Sequence, residues 1–359
     1  FMAGALGFEP RMAVSKTAAL PLGYAPKFIS YITHKKIYTV FEGESLTSSA
    51  KTTGVSITEL SNIFNDVNPD IVITIADRFE TIATAIAASY MNIPLAHIQG
   101  GEVTGNIDEK VRHSVTKLSD YHFVSSKDAY DRLVKLGEDG NCIYNTGCPS
   151  IDIAHEVLSK NKKNSGGYYY DKYLGVGKNP NIDDGYWVVM QHPVTTEIED
   201  SGKQVLLTLE TLKSLDEPII WFWPNIDAGS DIVSNTIRTF REENSLKYFH
   251  FFKNMDSEDF LNLLIHSNGL IGNSSVGIRE CSYLSVPAIN IGSRQFRRMR
   301  GENIIDVQND KDQILNAIQK IKFGGKPNKS ILYGEGDSGR KITEILSKVD
   351  LKYSKTITY

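Results

Sequence analysis

Three carboxylates in the first half of the chain fall where apolar runs end. Asp77, in Asp77-Arg78-Phe79-Glu80, follows the β-branched run Ile71-Val72-Ile73-Thr74-Ile75. Glu102 follows Pro94-Leu95-Ala96-His97-Ile98 by way of Gln99-Gly100-Gly101, and Asp108 and Glu109 open the next helical pattern, ahead of Arg112 and His113. Carboxylates crowded beside a cleft can divide into acid and base roles, which is what moving protons on and off a substrate requires. The same residues admit a structural meaning. Asp108 with Arg112, and Glu109 with His113, are spaced i,i+4 and would pair along a helix face, and Asp77 would cap the following helix beside Arg78.

A second group suits an anion. Phe260 to Ser267 reads as an amphipathic helix and Gly269 to Ile271 as a short buried strand. The chain then turns through Gly272-Asn273-Ser274-Ser275 into another helix, whose first N–H groups and hydroxyls would receive a phosphate. Glu280 comes about a turn and a half later, within reach of the hydroxyls of a ribose, so a nucleoside diphosphate is the first ligand to consider. A serine N-cap on an ordinary turn is the alternative meaning. His192, after Trp187-Val188-Val189-Met190 and before Pro193, places a ring nitrogen at a strand end, either for a phosphate or sugar hydroxyl or as a structural group. Arg294 offers a planar fork suited to phosphate, and Arg297, Arg298 and Arg300 follow it in the same loop.

The elements that must position these groups alternate. Strand patterns at 71–75, 94–98, 121–124 and 143–147 are separated by helical patterns at 81–91, 108–119 and 129–136, with an earlier helix at 56–65 and a strand at 37–40. A second alternation starts at Trp187 and runs through Ile219-Ile220-Trp221-Phe222-Trp223, Tyr248 to Phe252 and Ala288 to Ile291. Charged residues gathered at strand C-terminal ends describe open α/β sheets, which bind ligands at that edge. The predicted class is therefore α/β, with two Rossmann-like domains facing across a cleft. The boundaries are an atypical leader at 1–36, an N-terminal domain at 37–160, a C-terminal domain at 185–325, and a tail with a helix at 326–359 that packs back on the N-terminal domain. The stretch 159–184, rich in Lys, Asn, Gly and Tyr, reads as the connection between domains.

Bulk properties narrow the function. A chain of 359 residues with 41% hydrophobic and 23% charged residues has a globular composition. A net charge of −4 gives no basic field for nucleic acid. Cys142, Cys148 and Cys281 have neither disulfide-framework nor zinc spacing, and no run approaches a membrane span, so a cytoplasmic protein is expected. No His/Cys/Asp set has metal-ligand spacing and no Gly-x-Gly-x-x-Gly follows the first visible strand, so neither a metal nor a cofactor is indicated.

Together these residues resemble the hydrolysing UDP-N-acetylglucosamine 2-epimerase family. The matching segments are Asp77-Arg78-Phe79, His97 to Val103, Ile107-Asp108-Glu109 to Leu118, Gly147-Cys148-Pro149-Ser150, Gln191 to Thr196, Pro224 to Ser230, Ile271 to Glu280 and Asn290 to Asn303. The resemblance implies a GT-B-like fold, a UDP-sugar substrate and a homodimer or homotetramer. It implies that Ser274 and Ser275 contact the diphosphate and Glu280 the ribose. Arg294, His192, Asn225 and Arg78 would hold the nucleotide sugar, with Asp77, Asp108 and Glu102 as the acid/base group and His192 beside it. The implied reaction removes the C2 proton, expels UDP from C1 and adds water to the resulting 2-acetamidoglucal. Three departures from the family pattern stand out. Residues 1–36 show no opening strand, turn and helix; Gln99 replaces a carboxylate that some members carry; and Arg297 stands where a glycine is usual. The altered N-terminus leaves a nucleotide-sugar-binding protein without turnover as the alternative, and a GT-B glycosyltransferase as a more distant one. Asp108→Asn is expected to abolish UDP release while leaving UDP affinity nearly intact; calorimetry showing loss of both would make Asp108 a structural carboxylate.

Overall fold

The computed structural model describes residues 37, 39 and 46–356, apart from 105, 106, 161, 226–228 and 352–354 and the side chains of 46, 79, 107 and 108. The predicted leader at 1–36 lies outside the described residues, as do Tyr38 and Val40 of the strand predicted at 37–40. Among the described residues the chain divides into two compact units, one ending at Asp152 and resuming at Tyr333, the other spanning Ile153 to Leu332.

In the first unit α1 (Leu46–Val67), β1 (Val72–Ile75), α2 (Phe79–Tyr90), β2 (Leu95–Ile98), α3 (Ile107–Leu118), β3 (Tyr121–Val124), α4 (Lys127–Lys135) and β4 (Ile143–Asn145) alternate. The strands form one parallel sheet in the order β1-β2-β3-β4, with Ile73 opposite Ala96 and Phe123 opposite Tyr144. Parallel strands need helical crossovers and covered faces. On one face Ala83, Ala85, Ala87 and Ala88 of α2 let Leu60 and Phe64 of α1 pack in with Val72, Leu95 and Val115. On the other, Ile73, Ala96, Ile98 and Phe123 pack against Ile342, which the chain supplies only after its excursion through the second unit.

Helix α5 (Pro149–Lys160) carries the chain from the first unit to the second, and α13 (Ser338–Leu346) belongs to the first again. Asp152 fixes that return by accepting from the N–H groups of Ser338 at 2.9 Å and Gly339 at 2.7 Å, which are orphan donors at the start of α13. Gly147, at φ 82, lies so close to the returning strap that a Cβ there would sit 2.8 Å from the Gly334 Cα.

The second unit holds α6 (Gly166–Lys172), β5 (Gly175–Gly177), β6 (Trp187–Met190), α7 (Ser201–Lys213), β7 (Ile219–Phe222), α8 (Ser230–Glu243), β8 (Phe249–Phe252) and α9 (Ser257–Ile265). It continues with β9 (Gly269–Gly272), α10 (Ser275–Ile278), α11 (Glu280–Tyr283), β10 (Ala288–Ile291), β11 (Ile304–Val307) and α12 (Lys311–Phe323). The sheet order is β11-β10-β9-β6-β7-β8-β5, parallel except for β5, and Trp187, Trp221, Phe251, Ile271 and Leu209 fill its core. The stretch predicted to connect the domains is instead part of this unit. Ser165 caps α6, and Val176 pairs with Phe251 to make β5 the sheet edge. No helix among the described residues is long and apolar enough to cross a membrane.

One buried ionic group ties the tail to the first unit. Glu138, 2% exposed, meets His122 at 3.0 Å, Lys117 at 2.8 Å and Lys355 at 2.5 Å, while Lys355 also donates to the carbonyls of Thr116 and Ser119 at the end of α3. Burial alone would push the Glu138 carboxyl up, but hydrogen bonds from His122, Lys117 and Lys355 outweigh it and pull the pKa from 4.5 down to about 2. A depressed carboxylate contributes stability that is complete above its unfolded value and is lost as pH falls through the folded one. Urea titrations of wild type and Glu138→Gln should therefore differ most near neutrality and converge between pH 4.5 and about 2; a pH-independent difference would show that the charge is not what stabilises this corner.

Candidate functional site

The second sheet reverses direction between β6 and β9: the chain builds outward through β7 and β8, then returns to the other side of β6. The strand ends at such a switch point diverge and leave a crevice for a ligand. Gln191 and His192 leave β6 there, and Asn273, Ser274 and Ser275 leave β9. Backbone contact at the junction is tight, since a Cβ on Gly272, at φ 137, would lie 2.0 Å from the Met190 carbonyl.

Asn273 organises this crevice. Its Oδ1 accepts from the His192 N–H and its Nδ2 donates to the His192 carbonyl, both at 2.8 Å. Its own carbonyl accepts from Gln295 Nε2 at 2.9 Å and Arg294 Nη1 at 3.4 Å, which brings in the loop after β10. The loop after β7 joins through Asn225, whose N–H donates to His192 Nδ1 at 3.1 Å. An Nδ1 that accepts is unprotonated, so the neutral ring carries its proton on Nε2.

The turn predicted to lead from the strand into a helix is present, and the helix is shorter. Ser274 is the N-cap, its Oγ accepting from the Val276 N–H at 3.4 Å. The single helix predicted to follow is broken at Arg279, with φ −98 and ψ −71, into the one-turn segments α10 and α11, so Glu280 opens the second segment. The Arg279 guanidinium reaches back one turn to Ser275, Nη2 to Oγ 3.1 Å, with its Nε 3.7 Å from Glu280 Oε2. Glu280 is completely buried, and among the described residues neither carboxylate oxygen has a hydrogen-bond partner. Gln191 Oε1 and Gln295 Oε1 are likewise buried acceptors without a donor. Leaving a buried acceptor unmade costs about 1–3 kcal/mol, and more for a charged one. The crevice thus holds acceptors that a hydroxyl-bearing ligand would satisfy.

At the edge of the first sheet the backbone is bent out of its usual range. Ala76 after β1 and Gln99 after β2 both have φ 66, in the left-handed region. Arg78 stands at the N-cap of α2 without a side-chain cap bond and turns to Glu80 at 3.4 Å. Asp77 pairs with Arg112, a residue 1% exposed that also donates to the Glu102 carbonyl at 2.8 Å and Thr104 Oγ1 at 3.1 Å. The Glu109 and His113 pair forms as predicted, at 3.4 Å. The Asp108 backbone lies in the first turn of α3, and its side chain lies outside the described residues. His97 Nε2 donates to the Ala76 carbonyl at 2.8 Å and its Nδ1 accepts from Thr116 Oγ1 at 3.2 Å. Burial holds its pKa down to about 3, so this imidazole is a neutral spacer between β1 and α3. Gln99 Nε2 lies 2.8 Å from Cys148 Sγ, itself 3.0 Å from Ser150 Oγ.

Asp77, Arg78 and Glu102 are thus gathered at one sheet edge of the first unit, and His192, Asn225, Ser274, Ser275, Glu280 and Arg294 at the switch point of the second. Sequence reasoning missed Asn273 and Gln295 as organisers, although both lie within quoted motifs. It did not anticipate the contact of Arg112 with Asp77, which spans 35 residues. Arg297, where the family usually has glycine, has φ 62, a conformation that costs a non-glycine residue about 1 kcal/mol. Among the described residues no group of three or more His, Cys, Asp or Glu side chains could hold a metal ion.

Comparison with known proteins decides the family. Residues 27–347 match the profile of UDP-N-acetylglucosamine 2-epimerase. The chain belongs to that epimerase family. It is 31% identical over 304 residues to the UDP-N,N'-diacetylbacillosamine 2-epimerase (hydrolyzing) of Legionella pneumophila, covering 85% of this chain and 78% of that one. To polysialic acid biosynthesis protein P7 of Escherichia coli it is 36% identical over 267 residues, covering 74% and 65%. Among solved structures, the Methanocaldococcus jannaschii UDP-GlcNAc 2-epimerase in complex with UDP-GlcNAc and UDP aligns with a TM-score of 0.71 at 19% identity, covering 86% of this chain and 83% of that one. At that identity the likeness is one of fold, and the two α/β units built on parallel sheets are the fold of these GT-B-like epimerases.

In this family member Asn273→Ala removes the acceptor and donor that hold His192 and is expected to cost about 2–3 kcal/mol, the price of two buried backbone groups left unmade. Urea unfolding measures it; a change under about 0.5 kcal/mol, typical of a surface substitution, would contradict the organising role.

Proposed function

We propose that this epimerase acts on a UDP-linked 2-acetamido sugar and is of the hydrolysing type, releasing UDP and the free 2-epimer. The observation that carries this reading is Glu280, a fully buried carboxylate with both oxygens lacking hydrogen bonds among the described residues, placed just beyond Ser274 and Ser275 at the switch point. A ribose diol offers two O–H donors, matching the two bare acceptors, while a diphosphate suits the serine turn and the Arg294 fork.

In the reaction a base takes the proton from C2, the C–H electrons form the C1–C2 double bond, and the C1–O bond breaks with its electrons on UDP. Water then adds at C1 of the glycal while a proton returns to C2 on the opposite face, so UDP-sugar and water become UDP and the 2-epimer. The C2 proton is only weakly acidic, and departure of the diphosphate makes its removal possible. Arg294 therefore serves to stabilise charge developing on the leaving group. Asp77, Asp108 and Glu102 form the acid/base group, with Arg78 on the sugar nucleotide beside them. His192, with its proton on Nε2, and Asn225 orient the nucleotide sugar.

The relatives' names offer two sugars, N-acetylglucosamine and N,N'-diacetylbacillosamine. Incubation with each UDP-sugar, following UDP by a coupled assay and the sugar by NMR, should give UDP and 2-epimer in equal amounts from one of them; UDP binding by folded protein without any release would sink the catalytic reading. In the same series Glu280→Gln is expected to weaken UDP by about tenfold, corresponding to about 1.4 kcal/mol, and an unchanged UDP affinity would remove Glu280 from the ribose site.

A further inference from the structure

A buried arginine is costly unless its donors are met, and Arg112 meets them with three groups from two loops: the Asp77 carboxylate after β1, and the Glu102 carbonyl and Thr104 hydroxyl after β2. The second of these loops is gripped elsewhere too. Arg132 donates to the Gly101 carbonyl, the Thr104 N–H donates to Glu109 Oε2 at 3.2 Å, and the Gln99 N–H donates to the Phe123 carbonyl at 2.9 Å. The side chain of Asp77 keeps 18% of its surface exposed while that of Arg112 keeps 1%, so the pair presents its carboxylate outward and its cation inward.

We propose that Arg112 is the positioning residue of the acid/base group, holding Asp77 as an ionised proton acceptor at a fixed place, so that Asp77 takes the base role in the reaction proposed above. This rests on that epimerase reading. The Arg112 guanidinium meets the Asp77 carboxylate directly. His97, from β2, is neutral, with its pKa at about 3; Arg78 and Glu80, on the same turn as Asp77, engage each other; and Glu102 offers Arg112 its backbone carbonyl. A carboxylate held against a cation cannot serve as proton donor near neutrality. The donor that returns a proton to C2 must then come from another member of the group.

The test uses the full chain with Arg112→Lys, Arg112→Gln, Asp77→Asn and the double variant Arg112→Lys/Asp77→Asn, with thermal melts as a folding control. Arg112→Lys keeps a positive charge but cannot span three partners, and is expected to lower kcat by roughly 10²-fold through misplacement of Asp77, with UDP affinity unchanged. Arg112→Gln removes the charge, and the acidic limb of its kcat profile should move to higher pH. Once Asp77→Asn is present, adding Arg112→Lys should cost nothing further, because the two act as one unit. Wild-type kcat in Arg112→Lys, a fall in UDP affinity in step with kcat, or fully additive losses would each overturn the proposal. Turnover by wild type together with indifference to Arg112→Lys sinks this inference alone. A folded wild type that releases no UDP from either sugar sinks the epimerase reading and this inference with it.

Discussion

The side chain of Asn273 meets both backbone groups of His192, and its own carbonyl takes the amide of Gln295, so one residue after β9 fixes the loops that follow β6 and β10. The arrangement depends on Gly272, which lets β9 approach β6 more closely than a Cβ would permit. Switch-point crevices arise because neighbouring strands send their chains in opposite directions, which leaves divergent loops needing an internal tie. Here the tie is a side-chain amide, which can donate and accept at once in a fixed plane, as the two groups of one peptide unit require.

Two buried arginines solve the problem of charge in contrasting ways. Arg112 is hydrogen-bonded to a carboxylate, a carbonyl and a hydroxyl. Arg279 stands 3.7 Å from a carboxylate whose oxygens have no hydrogen bonds among the described residues. The first arrangement fixes the Asp77 carboxylate in place. The second leaves buried acceptors unmade among the described residues, and charge attraction without hydrogen bonds exerts little directional hold.

Helix α3 carries Arg112, and its far end is held by the tail. Lys355 donates to the carbonyls of Thr116 and Ser119, and the Thr116 hydroxyl meets His97 beneath the loop that follows β1. A cation at a helix C-terminus satisfies orphan carbonyls and complements the helix dipole. Residues near the end of the chain therefore support a sheet edge formed more than 200 residues earlier, through a helix that touches both.

The sequence by itself determined what local physics decides. The strands recur as β-branched or aromatic runs bounded by turn residues, and the polar groups at their ends, Asp77, Glu102, His192 and the turn from Gly272 to Ser275, mark the C-terminal edges of the two sheets. That alternation, with the motif resemblance, yields the α/β class and the epimerase family. The tertiary structure decided the pairings. Arg112 meets Asp77 from 35 residues away in sequence, the stretch 165–177 becomes a helix and a sheet edge, and the helix after Ser275 breaks at Arg279. Periodicity reports which face of an element is buried, because burial acts on each residue along a repeating backbone. Which partner a charged or polar side chain takes is settled only when distant strands are brought side by side, since the energy of a buried donor depends on the acceptor it then meets.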